Sequence, residues 1–426
     1  MNRRVLPSLR RLLGRFDILI VAASIWFLGK FIRYVFPPLF ELLQETFAVS
    51  TTIIGWSFSL FLFAYAAVQF PSGVFCDKVG SDLVIVGGVL LSSVGALMLL
   101  ADTSFVVYLF LMIILGFGTG VHKTAAVQLL SDTYPTHKGR VLGIFDTFGT
   151  FGGIVAPFAV ILAASIPGTR PGWRILLFGT GLIGLAFMLV FMLRVDNDIL
   201  TTVRQKFDQN SLFADSAVET PAESTTREST ADPDWRSYLQ LFENRRFSIF
   251  VIASICFAFT YQGIVSFLPL YLIQEGGLPS STAGILYSVL FVASFSQLVS
   301  GELSDRVGTL PVIIGSLGLA TVSTVVLIVG TDAGILVLSF ATVFIGIGAH
   351  SFRPVRGAYL MESLPSDLSA GGFGIVRTLL MGSGAIAPGI VGTVSDFFSF
   401  RLAFVILAVS VGLATLLTAM LLVIDN

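Results

Sequence analysis

One charged motif occurs twice in this chain. Residues 73–80 read Gly-Val-Phe-Cys-Asp-Lys-Val-Gly and residues 301–308 read Gly-Glu-Leu-Ser-Asp-Arg-Val-Gly, so both fit the frame Gly-x-x-x-Asp-(Lys/Arg)-Val-Gly. Each copy separates two long apolar runs, which are 53–69 and 83–100 around the first copy. The arrangement predicts two membrane-spanning helices joined by a tight charged turn. Its duplication predicts that the chain consists of two related halves.

Composition places the chain among membrane proteins. Of its 426 residues, 55% are hydrophobic and only 12% are charged. A helix that crosses a bilayer needs roughly 20 mostly apolar residues, whereas a membrane barrel shows alternation over about ten. Continuous apolar runs of helical length recur from end to end, so we predict an all-α polytopic membrane protein with twelve transmembrane helices. The predicted helices 1 to 12 cover approximately 16–43, 52–75, 82–101, 105–133, 139–165, 172–194, 246–274, 281–303, 309–330, 333–362, 370–396 and 401–424.

The sequence changes character between helices 6 and 7. Residues 208–234 are rich in Ser, Thr, Ala, Asp and Glu and show no hydrophobic periodicity, so they cannot bury a core. We predict a disordered or loosely helical linker within 195–244, between six-helix bundles at 1–194 and 245–426. Lys and Arg concentrate in the loops on one side of the spans. This asymmetry indicates that both termini, the linker and both motif turns face the cytoplasm, in a protein of the cell membrane.

The duplication extends well beyond the motif. A shift of about 230 residues places Lys123 on Arg353, Asp146 on Arg377, and Ala156-Pro157 on Ala387-Pro388. Two halves of six helices that both begin on the cytoplasmic side must have the same orientation. They are therefore predicted to be parallel repeats related by an axis along the membrane normal.

The motif, its copy, the two sets of six helices and the central linker resemble the signature of the major facilitator superfamily of secondary transporters. The resemblance covers nearly the whole chain and implies a cytoplasmic latch between the halves, formed here by Asp77 with Lys78 and by Asp305 with Arg306. The basic residues that the family pattern places after the second glycine are missing in both copies. A helix-capping aspartate beside an orientation-setting cation is the alternative interpretation of both turns.

Small residues recur in helices 5 and 11. Gly149, Gly152, Gly153 and Ala156-Pro157 look like the Gly-Pro signature of the family's antiporters, with alanine before the proline, and helix 11 repeats the pattern from Gly382. Residues this small let helices approach closely. Close packing between the halves is the preferred interpretation, and antiport is the alternative.

Charged residues inside predicted spans are the main functional signal. A cation in hydrocarbon costs from about 2.5 kcal/mol upward, so such residues usually face a bundle interior or an aqueous cavity. One clearly interior carboxylate, Asp146 in helix 5, stands against six cations. These cations are Lys30, Arg33, Lys123, Arg353, Arg356 and Arg377.

The position of these cations predicts an anion site. Helices 1, 4, 7 and 10 line the central cavity in the resembled fold, and the guanidinium fork suits a carboxylate or phosphate. Snorkelling is the alternative for Lys30, and pairing with Glu362 or backbone carbonyls is the alternative for Arg356. The predicted contacts of the anion are Arg33, Lys123 and Arg353, then Lys30 and Arg356, with Tyr261 beside Gln262 on helix 7 as polar neighbours.

Asp146 and two histidines are the candidates for gating and coupling. We predict that Asp146 forms a cytoplasmic gate with Arg377 or Arg356, as a charged pair made in one access state. His122 adjoins Lys123 and His350 shares a helix face with Arg353, so an arriving anion would favour their protonation. The alternative is that both are neutral helix histidines bonded to backbone or hydroxyl groups.

These observations favour a secondary transporter of a small organic or inorganic anion, driven by proton symport or by anion exchange. A multidrug or metabolite exporter is the first alternative, and a membrane receptor on a transporter frame is the second. The sequence shows no nucleotide loop, metal cluster or catalytic triad, and Cys76 and Cys256 form no disulfide framework. We therefore expect no enzymatic activity, no cofactor and no nucleic-acid partner. The expected partners are the solute, the lipid bilayer and, for symport, protons, with the monomer as the working unit.

Overall fold

A computed structural model describes residues 17–102, 104–166, 171–195, 240–365 and 369–424. Twelve helices in these segments are long and apolar enough to cross a membrane, which confirms the predicted all-α architecture. The predicted linker lies almost entirely outside the described residues. In chain order, α1 to α12 are Asp17–Phe47, Thr51–Val79, Ser81–Met98, Phe105–Thr133, Lys138–Ala164, Gly172–Arg194, Arg245–Gln274, Ser280–Val307, Thr309–Val329, Ile335–Ser363, Gly372–Phe397 and Phe400–Leu422.

Both copies of the motif form a tight turn between two helices. α2 ends at Val79 and α3 begins at Ser81, and the single residue between them, Gly80, has φ of 97°. Gly308 joins α8 to α9 in the same way with φ of 92°. Side chains are strained at these φ values, which explains why glycine closes both copies of the motif. We call this end of the molecule the turn end, and the end with the α1–α2 and α7–α8 connections the opposite end.

The two halves join at the opposite end. The backbone N–H groups of Thr51 and Thr52 on α2 donate to the carboxylate of Asp396 on α11 at 3.2 and 2.6 Å. The largest hydrophobic cluster contains residues of both halves, such as Phe40 and Phe267, whose ring centroids are 5.2 Å apart. Two smaller clusters lie toward the turn end, and each belongs to one half. The core therefore holds the halves together at one end and leaves space between them at the other.

Glycines set how closely the halves approach. A Cβ on Gly55 of α2 would lie 2.4 Å from the carbonyl oxygen of Pro388, and one on Gly392 of α11 would lie 2.5 Å from that of Thr51. Gly153 of α5 faces Phe291 of α8 in the same manner, at 3.0 Å. The first two contacts leave no room for a methyl group, so the α2–α11 seam is built on backbone-to-backbone approach, whereas the α5–α8 seam places a glycine against an aromatic ring.

The predicted packing role of the small residues holds only in part. Gly149 and Gly152 pack against α1 of their own half, and the position of a Cβ on Gly382 has no neighbour within 4 Å. Gly153 and Pro157 of α5 and Pro388 of α11 are the members of the predicted sets that contact the other half. On α11 the glycines that contact the other half are Gly389 and Gly392, which follow the predicted pattern in the sequence.

Replacing Gly392 with alanine is expected to destabilise the protein, because the added methyl group overlaps backbone that cannot move aside. Overpacking of this kind costs about 1–3 kcal/mol, so the purified variant should melt several degrees lower. Gly382→Ala on the same helix is the matched control, since its new methyl group meets open space. Equal melting temperatures for the two variants would show that the seam is not tightly packed.

Candidate functional site

A cavity of about 360 Å³ lies between the two halves, on the turn-end side of the shared core. It is lined by α1, α2 and α4 of the first half and by α7, α10 and α11 of the second. The lining therefore includes the four helices implied by the family resemblance, which are α1, α4, α7 and α10, and in addition α2 and α11. All six cations predicted from the sequence line this cavity, and they are Lys30, Arg33, Lys123, Arg353, Arg356 and Arg377.

Helical spacing brings the cations to the cavity. Residues three or four apart share one face of a helix, and Lys30 and Arg33 meet this condition on α1, as Arg353 and Arg356 do on α10. Lys123 comes from α4. No Asp or Glu side chain is among the described residues that line the cavity. The cavity is therefore strongly electropositive.

Aromatic rings take the place of counter-ions around these cations. The Nζ of Lys30 lies 5.0 Å from the ring centroid of Trp26 and 5.4 Å from that of Tyr34. The guanidinium of Arg33 lies 5.8 Å from the Tyr34 ring and 5.2 Å from the Tyr65 ring. The face of an aromatic ring attracts a cation without neutralising it. The rings therefore hold these groups in place while leaving their charge available to a ligand.

Arg33 also links the two halves through a hydrogen bond. Its Nη2 donates to Oε1 of Gln262 on α7 at 2.6 Å. Gln262 is in turn held by Ser266, because its Nε2 donates to the serine hydroxyl at 3.2 Å. The Nε of Arg33 is buried and has no hydrogen-bond partner among the described residues. Arg33 therefore has hydrogen-bonding capacity that the described residues leave unused.

Arg353 has an aromatic neighbour but no resident carboxylate. Its guanidinium lies 5.4 Å from the Tyr261 ring, and that of Arg356 lies 5.6 Å from the Phe352 ring. No ion pair within the described segments involves Arg353, Arg356 or Lys30. The alternative pairing of Arg356 with Glu362 is accordingly not made.

The ion pair at this site differs from the predicted one. Asp146 was expected to pair with Arg377 or Arg356, but its carboxylate instead accepts from Nζ of Lys123 at 3.2 Å. Lys123 and Asp146 lie on α4 and α5, which are consecutive helices of one half. Arg377 instead donates from Nη2 to Oε1 of Gln69 on α2 at 2.9 Å, and thereby joins the halves.

Asp146 is also less enclosed than the sequence indicated. Its side chain is 60% exposed, whereas that of Lys123 is 28% exposed. The α5–α8 seam explains the difference, because α5 meets α8 through the rings of Phe151 and Phe295, 6.4 Å apart, and Asp146 lies beyond that contact toward the turn end. The pair is therefore open to water on the carboxylate side.

The two predicted coupling histidines have different environments, and neither lines the cavity. His122 is buried and its Nε2 donates to the carbonyl oxygen of Ala22 on α1 at 3.0 Å, which matches the alternative structural reading. His350 is also buried and lies edge-on to Tyr261 with ring centroids 5.8 Å apart. Both of its ring nitrogens lack a hydrogen-bond partner in the described part of the chain.

The charged residues of the two motif turns make contacts within their own half. Asp77 accepts a hydrogen bond from Nε2 of Gln128 on α4 at 3.1 Å. Arg306 pairs with Glu302 one turn earlier on the same helix. Lys78 and Asp305 are exposed at the turn end. The latch between the two halves is not formed in this conformation, and it stays a prediction for another conformation of the protein.

Sequence reasoning predicted Tyr261 at the site but missed the aromatic partners of the α1 cations, and it missed Gln69. Trp26, Lys30 and Tyr34 are four residues apart and so lie on one face of α1, which is the signal that could have revealed the stacking. The prediction from sequence considered the charged residues of α1 and did not consider the aromatic residues at the same spacing. Gln69 has no such signal, because its contact with Arg377 depends on how α2 crosses α11.

The fold and the cavity define a polytopic membrane protein with its polar site between two halves of six helices each, as expected of a secondary transporter. The sequence profile of the family described as Major Facilitator Superfamily matches residues 21–295 and 277–426. The chain therefore belongs to the Major Facilitator Superfamily, as the resemblance indicated.

Curated relatives and solved structures agree with this assignment. The chain is 24% identical over 300 residues to a protein of Cupriavidus necator named "Probable sulfoacetate transporter", covering 70% of this chain and 66% of that protein. It is 25% identical over 273 residues to the D-galactonate transporter of an Escherichia coli strain, covering 62% and 60%. A bacterial homolog of the human lysosomal transporter Spinster, solved in an inward-facing and unoccupied conformation, has the same fold with a TM-score of 0.73, 16% identity and coverage of 95% and 97%.

Proposed function

We propose that this protein is a secondary active transporter that moves a small organic anion across the cell membrane by alternating access. The observation that carries the proposal is the charge of the cavity, where six cations and no described carboxylate line the wall. Charged groups enclosed in a membrane protein are costly unless an opposite charge compensates them. An anionic solute supplies that charge each time it binds.

The two curated relatives support the organic anion in particular. Sulfoacetate and D-galactonate, which their names give as substrates, are both small organic acids that are ionised at neutral pH. A cavity of about 360 Å³ is at the lower end of the size range of ligand sites, roughly 300–1,000 Å³. The proposed solute is therefore a compact acid and not a lipid or a large drug.

We assign the principal contacts of the anion to Arg33, Lys123 and Arg353. Arg33 has an Nε without a partner among the described residues, Arg353 pairs with no described carboxylate, and Lys123 can exchange Asp146 for the solute. Lys30 and Arg356 add positive charge from the same two helices as Arg33 and Arg353. Tyr261 positions Arg353 through its ring.

The proposed orientation places both termini and the turn end in the cytoplasm. The α2–α11 seam is closed at the opposite end in this structure by the contacts of Asp396 and of Gly392. The α5–α8 seam is open at the turn end, where Asp146 is exposed. With this orientation the structure corresponds to a carrier whose α5–α8 seam is open to the cytoplasm.

The internal repeat identifies a second turn-end contact that is not made here. The contact between Gln69 of α2 and Arg377 of α11 closes one seam. The repeat relates Gln69 to Gln297 on α8 and Arg377 to Asp146 on α5. In this structure Asp146 forms an ion pair with Lys123, and Nε2 of Gln297 donates to the carbonyl oxygen of Ser294 at 2.9 Å. We propose that Asp146 and Gln297 meet when the turn end closes.

Cysteine cross-linking should report this closure. In a Cys76→Ser, Cys256→Ser background, the pair Asp146→Cys with Gln297→Cys should cross-link slowly in the empty carrier. The pair Gln69→Cys with Arg377→Cys is the matched control and should cross-link readily, because those residues already touch. Cross-linking of the first pair should rise when an outward-facing state is trapped. No cross-link of that pair in any condition would exclude the contact.

Coupling follows one of two routes, which transport measurements separate. Proton symport would use a group that titrates during the cycle, and His350, His122 and Asp146 are the candidates. Anion exchange would need no such group. An imposed pH gradient should drive net uptake in the first case and leave exchange unchanged in the second.

Counterflow in proteoliposomes tests the proposed function. Vesicles loaded with galactonate, sulfoacetate, succinate or phosphate should accumulate the same labelled anion transiently, and empty vesicles should not. Galactosamine and a lipophilic cation such as tetraphenylphosphonium are the control solutes. Counterflow of the cations and of no anion would overturn the proposal in favour of a cation exporter.

A further inference from the structure

We propose that the transported solute carries two anionic groups, one for the cations of α1 and α4 and one for the cations of α10. The inference rests on the proposed anion transport and names the substrate class more closely. Its basis is the distribution of five of the six cavity cations over two clusters, one on each half of the molecule, while the sixth, Arg377, donates to Gln69. A solute with a negative group at each end would bind both clusters at once.

The first cluster is compact because its members share aromatic rings. The Nζ atoms of Lys30 and Lys123 lie 5.0 and 5.2 Å from the centroid of the same Trp26 ring, so they are at most 10.2 Å apart. Lys30 and Arg33 likewise both contact the Tyr34 ring. These three cations of one half therefore surround a single patch of the cavity wall.

The second cluster lies on the other half and has its own rings. Arg353 and Arg356 are three residues apart on α10, so they share a face, and they stack on Tyr261 and Phe352. The adjacent buried imidazole of His350 adds no negative charge and has two unpartnered ring nitrogens. No described residue of this half offers a carboxylate to either arginine.

The two clusters differ in how the described residues compensate their charge. The first receives one negative charge from Asp146, through Lys123. Neither arginine of the second forms an ion pair with a described residue. A solute with a single negative group could satisfy one cluster, and the other would be enclosed without a counter-ion when the cavity closes, which is strongly unfavourable. Two negative groups compensate both clusters.

A bridging dianion also explains how binding would draw the halves together. Like charges on the facing walls repel each other in the empty cavity. A solute that binds α1 and α4 at one end and α10 at the other replaces this repulsion with attraction across the gap. The hydrogen bond from Arg33 to Gln262 shows that the facing walls already approach to 2.6 Å at one point.

Matched acids of equal size test the inference. Galactarate differs from galactonate only in having a second terminal carboxylate, and succinate is related to butyrate in the same way. Binding of each acid to the purified, full-length protein would be measured by thermal stabilisation at constant ionic strength. We expect the dianion to bind at least tenfold more tightly than the matched monoanion in at least one of the two pairs. In neither pair should the monoanion bind more tightly than the dianion.

Arg353→Gln separates a two-point contact from a general preference for charge. The variant should bind the two members of a pair within about threefold of each other, because one cluster has lost its central cation. Arg401→Gln, which alters a cation of α12 outside the cavity, should keep the full preference of the unmodified protein. Retention of the dianion preference in Arg353→Gln would contradict the assignment of the second cluster.

The outcomes also distinguish this inference from the proposed function. If monoanions bind as tightly as their dianionic partners, the two-cluster inference is wrong and anion transport stands. If neither member of either pair binds, while galactosamine does, the proposed function itself is wrong. Each result therefore decides one of the two statements.

Discussion

Arg353→Gln is expected to reduce anion uptake by roughly 30-fold or more, because loss of one partner from an enclosed charged contact typically costs about 2–5 kcal/mol. In this structure the Arg353 guanidinium stacks on Tyr261 and pairs with no described carboxylate, so its charge is free for the solute. The measurement is the initial rate of labelled galactonate or galactarate uptake into proteoliposomes. Arg353→Lys should retain part of the activity, since lysine keeps the charge but lacks the planar fork.

Arg401→Gln is the matched control for this experiment. Arg401 lies on α12 and pairs with Asp332 at 3.4 Å near the opposite end, so it shares the chemistry of Arg353 without facing the cavity. Its replacement should leave uptake nearly unchanged. Undiminished uptake by Arg353→Gln would remove Arg353 from the anion site.

Asp146→Asn is expected to separate binding from transport. Neutralising Asp146 leaves Lys123 without its resident partner, so the anion should bind more tightly, by up to about fivefold for a partly exposed pair worth at most about 1 kcal/mol. Turnover should nevertheless fall tenfold or more, because the carrier can no longer replace the departing anion with Asp146. Binding would be measured by thermal stabilisation and turnover by uptake at saturating galactonate or galactarate.

Asp17→Asn provides the control for the Asp146 variant. Asp17 pairs with Arg194 at 3.0 Å at the turn end of the same half, but that pair does not line the cavity. Its loss should change neither binding nor turnover appreciably. An exchange of charges, Lys123→Asp with Asp146→Lys, should form the ion pair again but bind the anion less tightly than the unmodified protein, because the cation then lies at the more exposed position of the pair. Normal transport by Asp146→Asn would exclude the exchange of counter-ions.

The sequence was sufficient for the architecture because each step of that argument is local or repeated. Run length predicts a spanning helix, and Gly80 and Gly308 predict the turns, since both require positive φ. The six cations could also be assigned to the interior, because a cation in a span avoids lipid. Their shared faces on α1 and α10 follow from a spacing of three residues.

The partners within the site could not be predicted, because they depend on helix crossings and on the access state. The pairing of Lys123 with Asp146 arises where α4 and α5 cross, and no periodicity encodes that register. The contact of Arg377 with Gln69 joins residues 308 positions apart. Asp146 was expected to be buried, and its exposure reflects an α5–α8 seam that is open in this conformation. The same sequence can form a conformation in which the seam is closed, so sequence alone does not determine this exposure.

The central claim is that the cavity binds an anion through its fixed cations. Thermal stabilisation of the purified protein by galactonate, galactarate, sulfoacetate and phosphate tests it most directly, with neutral galactitol and cationic galactosamine as matched controls, because a ligand that binds the folded state raises its melting temperature. We predict that at least one anion raises the melting temperature and that the triple variant Arg33→Gln, Lys123→Gln, Arg353→Gln loses this response. Stabilisation by galactosamine or galactitol and by none of the anions would contradict the account.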